Sequence, residues 1–230
     1  MFMSKTAWII FTAIVILVLG GLVVYSRSNS TQIDVSSVDA NSVLAASEQS
    51  GNIGDRVFNN TQSNVVLIKY ADFQCPACAA AAEGLKPLLG EYGDRISFIS
   101  RNFPITQNHP NARAAAAAAE AAGQQDKFWE MHDVIYENQR DWSTADSTQR
   151  TTLFKSYAEQ IGLDMAAFDA DIASSRINQK VLFDQALANK VGVNSTPTFF
   201  LNGEELPDDA AAGILSGDLT ELRKLIDAAL

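Results

Sequence analysis

Asp72-Phe73-Gln74-Cys75-Pro76-Ala77-Cys78 stands between Val65-Val66-Leu67-Ile68 and an Ala/Leu-rich run from Ala79 to Leu89. The change of pattern across it decides the fold. Consecutive β-branched and apolar residues predict a strand, here about Asn64–Tyr70. Ala79, Ala82, Leu85 and Leu89 recur at helical spacing, and Pro76 suits a first helical position, where its missing N–H is not needed. Cys75 therefore falls at a strand-to-helix switch. The free N–H groups and positive end of the helix favour thiolate over thiol there. Cys75 reads as the exposed, attacking sulfur, and Cys78, one turn in, as the sulfur that resolves a mixed disulfide.

These are the only cysteines in 230 residues. Half of a zinc site would need further ligands, and His109 and His132 are not at metal-ligand spacing, so no metal is expected. A structural disulfide across two residues would close too small a loop to stabilise much. For both histidines a proton-shuttle role is weighed against a helix-cap or packing role, and the latter is preferred.

Further along, Pro87 should kink or shorten the first helix, with Gly90 and Gly93 at its exit. Arg95–Ser100 reads as a second strand. The β-α-β unit so formed carries the cysteines at the C-terminal end of its first strand, where open α/β sheets place their chemistry. Gly54–Phe58 suggests an edge strand before an Asn59-Asn60 turn. A long helical region follows, from about Pro110 to Lys190. Within it Ala112–Ala122 is nearly pure helix former closed by Gly123. Asp126 and Asp164 are candidate N-caps, and a last helix of the region runs from about Ile177 to Lys190. Strand character returns at Thr198–Leu201, followed by the Asn202-Gly203 hairpin signal and Glu204–Leu206. A helix from about Asp218 ends the chain. Thr196-Pro197 sits immediately before the returning strand, as turn punctuation or as a cis bond.

The N-terminus differs in kind. Ala7 to Tyr25 is an uncharged run of nineteen residues, about 28 Å as a helix and close to a bilayer's hydrocarbon thickness. Residues 1–6 are expected in the cytoplasm and 7–25 as a transmembrane anchor. A signal peptide cleaved near Ser26-Arg27-Ser28 or Ser28-Asn29-Ser30 is the alternative. Lys5 and the α-amine before the span, against Arg27 after it, give a slight positive excess that favours a cytoplasmic N-terminus and places the rest outside. Residues 26–53, rich in Ser, Asn, Gln and Asp, read as a polar tether, with a possible short amphipathic helix at Val43–Glu48. Net charge is −10 with no Lys/Arg cluster, which excludes a nucleic-acid partner.

Asp72–Cys78 together with Arg101-Asn102-Phe103-Pro104, His109-Pro110-Asn111-Ala112, Phe128-Trp129-Glu130-Met131-His132-Asp133 and Gly192–Gly203 resembles the DsbA-like thiol–disulfide oxidoreductases. The match is closest to their membrane-anchored bacterial branch and covers about Gly54 to Leu230. The resemblance implies an α/β thioredoxin fold over 54–230 with a helical insertion at about 109–190. It implies Cys75 and Cys78 as the redox pair, a cis Pro197, and substrate docking on the Thr196 backbone. It also implies protein thiol substrates, a quinone-linked membrane reoxidase, a monomer at the cell membrane, and no cofactor. Two positions depart from the family pattern. Ala77 stands where the best-studied members have a thiolate-stabilising His, and Lys69 stands six residues before Cys75, where many carry an acid. Pro76, Ala77 and Lys69 are therefore the residues expected to tune the thiolate. The implied activity is disulfide introduction. Disulfide reduction or isomerisation by the same fold, and a non-catalytic tethered binding module, are the competing readings.

Overall fold

Strand β2 (Val66–Ala71) is buried along its whole length and is the axis of the fold. In this computed structural model, which describes residues 5–28, 33–59 and 62–230, it lies at the centre of a five-stranded sheet. β3 (Ser97–Asn102) pairs with β2 in parallel, with Lys69 opposite Ser100 and Tyr70 opposite Arg101. On the other side β4 (Thr198–Leu201) runs antiparallel, with Lys69 opposite Phe199. β1 (Val57–Asn59) edges β3 and β5 (Glu204–Glu205) edges β4, both antiparallel, giving the order β1-β3-β2-β4-β5. Asn202 and Gly203 both take positive φ, 49° and 88°, as a tight hairpin between right-twisted strands requires.

The period-two alternation of β2 and β3 sends their side chains into two different cores. Leu67, Phe98, Phe199 and Leu201 pack under α2 (Pro76–Tyr92), α9 (Asp208–Ser216) and α10 (Thr220–Ala229), which add Leu85, Leu88, Ile214, Leu222 and Ile226. α2 and α9 approach so closely that a Cβ at Gly84 would run into the Ile214 carbonyl. Between β3 and β4 the chain makes the helical layer: α3 (Ala112–Ala122), α4 (Phe128–Glu137), α5 (Gln139–Trp142), α6 (Ser147–Gln160), α7 (Met165–Ile172) and α8 (Ser175–Lys190). Its alanine-rich face, with Phe128, Met131, Trp142, Phe154 and Phe168, closes over Cys75 and Cys78.

Several local expectations are corrected. α2 is not shortened at Pro87; it runs on to Tyr92 and ends at Gly93, φ 50°. Asp126 caps nothing: it adopts a left-handed turn, φ 59°, and α4 starts two residues later. Asp164 does cap α7, accepting from the Ala167 N–H. The helix α9 was not anticipated.

The tether expected over 26–53 is also corrected from Asp34 onward. The chain divides into two units, Met1–Ile33 and Asp34–Leu230, so residues 34–53 belong to the domain. Their backbone carbonyls are held by distant side chains. Arg101 donates to Ala40 and Ser42, Lys190 to Val35, Ser36 and Val38, and Gln179 to Glu48. Val35, Ala40, Ser50 and Ile53 are buried. No α-helix forms at Val43–Glu48; a short 3-10 turn occupies Glu48–Ser50.

The first unit contains α1 (Lys5–Ser28). Among the described residues, no helix is long and apolar enough to cross a membrane. Parts of the expected 1–6 segment, the 26–53 tether, the Ser28–Ser30 cleavage site and the Asn59-Asn60 turn lie outside the described residues.

Candidate active site

Cys75 is the N-cap of α2, in extended conformation (φ −75°, ψ 121°), with Pro76 at the first helical position. The loop that delivers it is pinned on both sides. The Asp72 carboxylate accepts from the Gln74 and Ile105 N–H groups and contacts His109 Nδ1 at 2.8 Å. Gln139 donates to the Phe73 carbonyl at 2.7 Å and the Cys75 carbonyl at 3.0 Å. Such fixed supports keep a reacting atom in one place.

Neither cysteine is in a disulfide. The two differ sharply in environment. Cys75 retains 9% exposure and Cys78 none. Hydrogen bonding from the Cys78 thiol lowers Cys75 to about 5, assisted by the Cys78 backbone N–H, Thr196 and the Ala77 backbone N–H, against an opposing effect of burial. Burial pushes the Cys78 thiol well above its ordinary value, and the Cys75 sulfur adds to this. One sulfur is a thiolate at neutral pH while the other stays a thiol. This is the arrangement for an attacking sulfur backed by a resolving one.

The Thr196–Pro197 peptide is cis and abuts the pair: Cys75 Sγ lies 3.4 Å from the Thr196 carbonyl oxygen. The buried Thr196 hydroxyl has no hydrogen-bond partner, and it is a donor that the ionised sulfur can use. Cys75, Pro76, Ala77, Cys78, Thr196 and Pro197 thus meet at one place. Ala77 contributes through its backbone, not its side chain.

Lys69 lies behind this group, fully buried beneath α2. Its amine does not reach solvent. Nζ lies 3.3 Å from His132 Nε2, and 5.1 Å and 5.8 Å from the ring centres of Tyr136 and Phe98. Burial pushes Lys69 down to about 8, while the charges of Cys78 and Asp133 work the other way. Neither His132 nor Asp133 was picked out by sequence as part of the site. Both lie in the Phe128–Asp133 segment that carries part of the resemblance, and its residues read as packing. Among the described residues, no group of three or more His, Cys, Asp or Glu is placed to hold a metal ion.

A protein-family model described as Thioredoxin matches residues 51–228. The chain belongs to the thioredoxin family. Solved structures extend the likeness over most of it. BdbD from Bacillus subtilis, in its oxidised form, aligns with a TM-score of 0.63 at 19% identity, over 82% of this chain and 98% of that one. The thiol-disulfide exchange protein alpha-DsbA2 from Wolbachia pipientis gives 0.63 at 21% identity, over 89% and 98%. A thioredoxin-like oxidoreductase from Silicibacter pomeroyi gives 0.61 at 23%, over 80% and 98%. At these identities the likeness is one of fold, and the fold is DsbA-like. Among curated relatives, a Na(+)/H(+) antiporter NhaA 3 from Salinispora tropica is 37% identical over 149 residues, which is 65% of this chain and 22% of that protein. The chain spans about a quarter of the length of such relatives.

Proposed function

We propose that this protein is an extracytoplasmic dithiol oxidase that introduces disulfides into secreted or surface proteins. A substrate thiolate attacks Cys75 in the Cys75–Cys78 disulfide; that S–S bond breaks and Cys78 departs with the electron pair. A second substrate thiolate then attacks the substrate sulfur of the mixed disulfide and expels Cys75. The substrate has lost two electrons and the enzyme holds them as a dithiol. A quinone-linked membrane partner removes them, and no organic cofactor or metal takes part. Thr196 and Pro197 dock the substrate chain, the Ala77 backbone and Pro76 shape the helix end, and Lys69 tunes the buried thiol.

One observation carries the direction of reaction: Cys75 is held at about 5. A stabilised thiolate stabilises the reduced enzyme, so its disulfide is readily given away. Thiolates of strong oxidants in this superfamily lie near ~3.5 and of reductants near ~7.

Membrane attachment is part of the same reading. It rests on the sequence: the uncharged run Ala7–Tyr25 would be about 28 Å as a helix, near the thickness of a hydrocarbon core. Ile9, Phe11, Ile16 and Leu17 are more than half exposed along it, an apolar surface that lipid would cover. With Lys5 before the run and Arg27 after it, the catalytic unit is assigned to the outer side as a single-pass, monomeric protein.

Refolding of reduced ribonuclease against insulin reduction tests the reading. Rapid thiol oxidation that Cys75→Ser abolishes is expected. Insulin reduction without ribonuclease oxidation would reverse the direction, and inactivity in both would leave a binding module.

A further inference from the structure

The helical layer carries a second feature, apart from the cysteines. Two adjoining cavities, about 310 and 380 Å³, lie between α3, α6 and the junction of α7 with α8. Ala114, Ala117, Arg150, Ile172 and Ala173 line both, so the two form one trough. Its floor is apolar: buried Phe154 and Phe168 lie under one half and buried Val181 under the other. Exposed Thr151, Ala173 and Asn178 at its margins leave it open to solvent.

Three cations run along this floor. Arg113 lines one half, Lys155 the other and Arg150 both, which sets their order. Arg113 donates to the side-chain oxygens of Asn178 at 2.9 Å and Gln185 at 3.0 Å. Arg150 donates from Nη1 to Asn111 Oδ1 at 2.6 Å, while its buried Nε has no hydrogen-bond partner. These partners are amides, so they leave both guanidinium charges uncompensated. Lys155 does pair with Asp169 at 2.8 Å, but both side chains are nearly half exposed, where an ion pair is weak. In a chain of net charge −10, the trough is a basic strip over apolar ground.

That combination selects its ligand. A buried donor without an acceptor costs free energy that an incoming acceptor recovers. The free Nε edge of a guanidinium takes a carboxylate by two parallel bonds. A lone ion would leave the apolar floor wet, whereas a peptide with carboxylates among apolar side chains covers both. Asn111 ties the trough to the sulfurs as well. Its N–H donates to Gln74 Oε1 at 2.8 Å, and Gln74 precedes Cys75. Along that path Arg150 and Cys75 are at most about 20 Å apart, the reach of about six extended residues.

We propose that this trough docks an acidic, apolar segment of the substrate protein whose thiols react at Cys75, with Arg150 and Arg113 as specificity-determining residues. The inference rests on thiol–disulfide exchange at Cys75–Cys78. One carboxylate seats on the Nε edge of Arg150, a second on Arg113, and neighbouring apolar side chains cover Phe154 and Phe168. Cysteines about six residues from the docked acids are thereby presented to Cys75.

Dithiol peptides mixed with the oxidised full-length protein test this. One series carries Glu-Leu-Glu-Leu at about two, six or ten residues from a Cys-Gly-Gly-Cys group, and a matching series has Gln for Glu. Each peptide gives up two electrons and two protons and becomes a cyclic disulfide, while Cys75–Cys78 becomes a dithiol. At pH 7 and low salt the six-residue Glu peptide should be oxidised about tenfold faster than its Gln twin, as one charge-assisted hydrogen bond provides. The two-residue pair should react alike, because its acids do not reach Arg150. Long-range attraction does not imitate this result, since the net charge of −10 repels acidic peptides. In Arg150→Met and in Arg113→Gln the Glu-to-Gln ratio should fall towards one. Should Arg150→Met not fold, Arg113→Gln decides. Equal rates for Glu and Gln peptides in wild type would overturn the inference alone. So would a preference that is the same at every spacing, or one that survives in the folded variants. A wild-type protein that oxidises none of the peptides would overturn the exchange reading and this inference with it.

Discussion

The two faces of the central strands bury charge in opposite ways. Beneath one face, Arg101 pairs with Asp55 at 2.7 Å, Lys180 with Asp184 at 2.7 Å and Asp55 at 3.4 Å, and Arg56 with Glu120 at 3.0 Å. Asn102 bridges Glu120 and Asp184, and the Tyr70 hydroxyl accepts from Arg101. Three cations face three carboxylates. Burial works against the Asp55 charge, yet Lys180 and Arg101 hold its carboxyl below the ordinary value. Beneath the other face, Lys69 has a neutral ring and two aromatic faces, and none of these contacts is a carboxylate. The matched network fastens residues 34–56 to β3 and α8. The charges of the unmatched amine and of Cys78 influence each other's ionisation, and a group kept near its ionisation point is useful there. Charge compensation separates a structural site from a chemical one in this molecule.

Removing one member of each site should have opposite effects. Arg101→Met leaves Asp55 buried without its main partner and should cost about 3–5 kcal/mol in denaturant unfolding. A loss under about 1 kcal/mol would mean the network is not the clasp described here. Lys69→Met removes a desolvated amine and should raise stability at pH 7 by on the order of 1–3 kcal/mol. The sign with pH is fixed by linkage. Folded Lys69 titrates at about 8 and its ordinary value is 10.5, so between those values the unfolded chain binds more protons and wild-type stability rises with pH. The deficit of wild type against Lys69→Met should therefore be full below about 8 and vanish above about 10.5. A difference independent of pH would contradict the buried, titrating amine. The smallest effect sharpens the contrast from outside both sites. Gly203→Ala, at φ 88° and against the Asn41 side chain, should cost about 1 kcal/mol and leave the ionisation of Cys75 unchanged.

Much of the molecule is legible in its sequence because the determinants are local. Cys75-Pro76-Ala77-Cys78 announces the strand-to-helix switch, Ala112–Gly123 writes its own helix and stop, and Asn202-Gly203 writes its hairpin. What escapes depends on distant partners. Residues 34–53 show no periodicity because Arg101, Gln179 and Lys190 hold their polar groups from far along the chain. α9 buries only Ala210, Gly213 and Ile214, too few apolar positions to mark a helix. Lys69 sits in a strand covered on both faces, so alternation cannot tell whether its amine escapes to water. Its His132 contact is 63 residues away, and nothing local in either segment points to the other.

The central claim is that Cys75 is a thiolate in the reduced protein at neutral pH while Cys78 is not. Following ultraviolet thiolate absorbance of the reduced protein against pH tests it most directly. A single-sulfur step near pH 5, absent from Cys75→Ser and retained in Lys69→Met, is the predicted result. No ionisation below pH 8, or a step near 5 that survives Cys75→Ser, would contradict it.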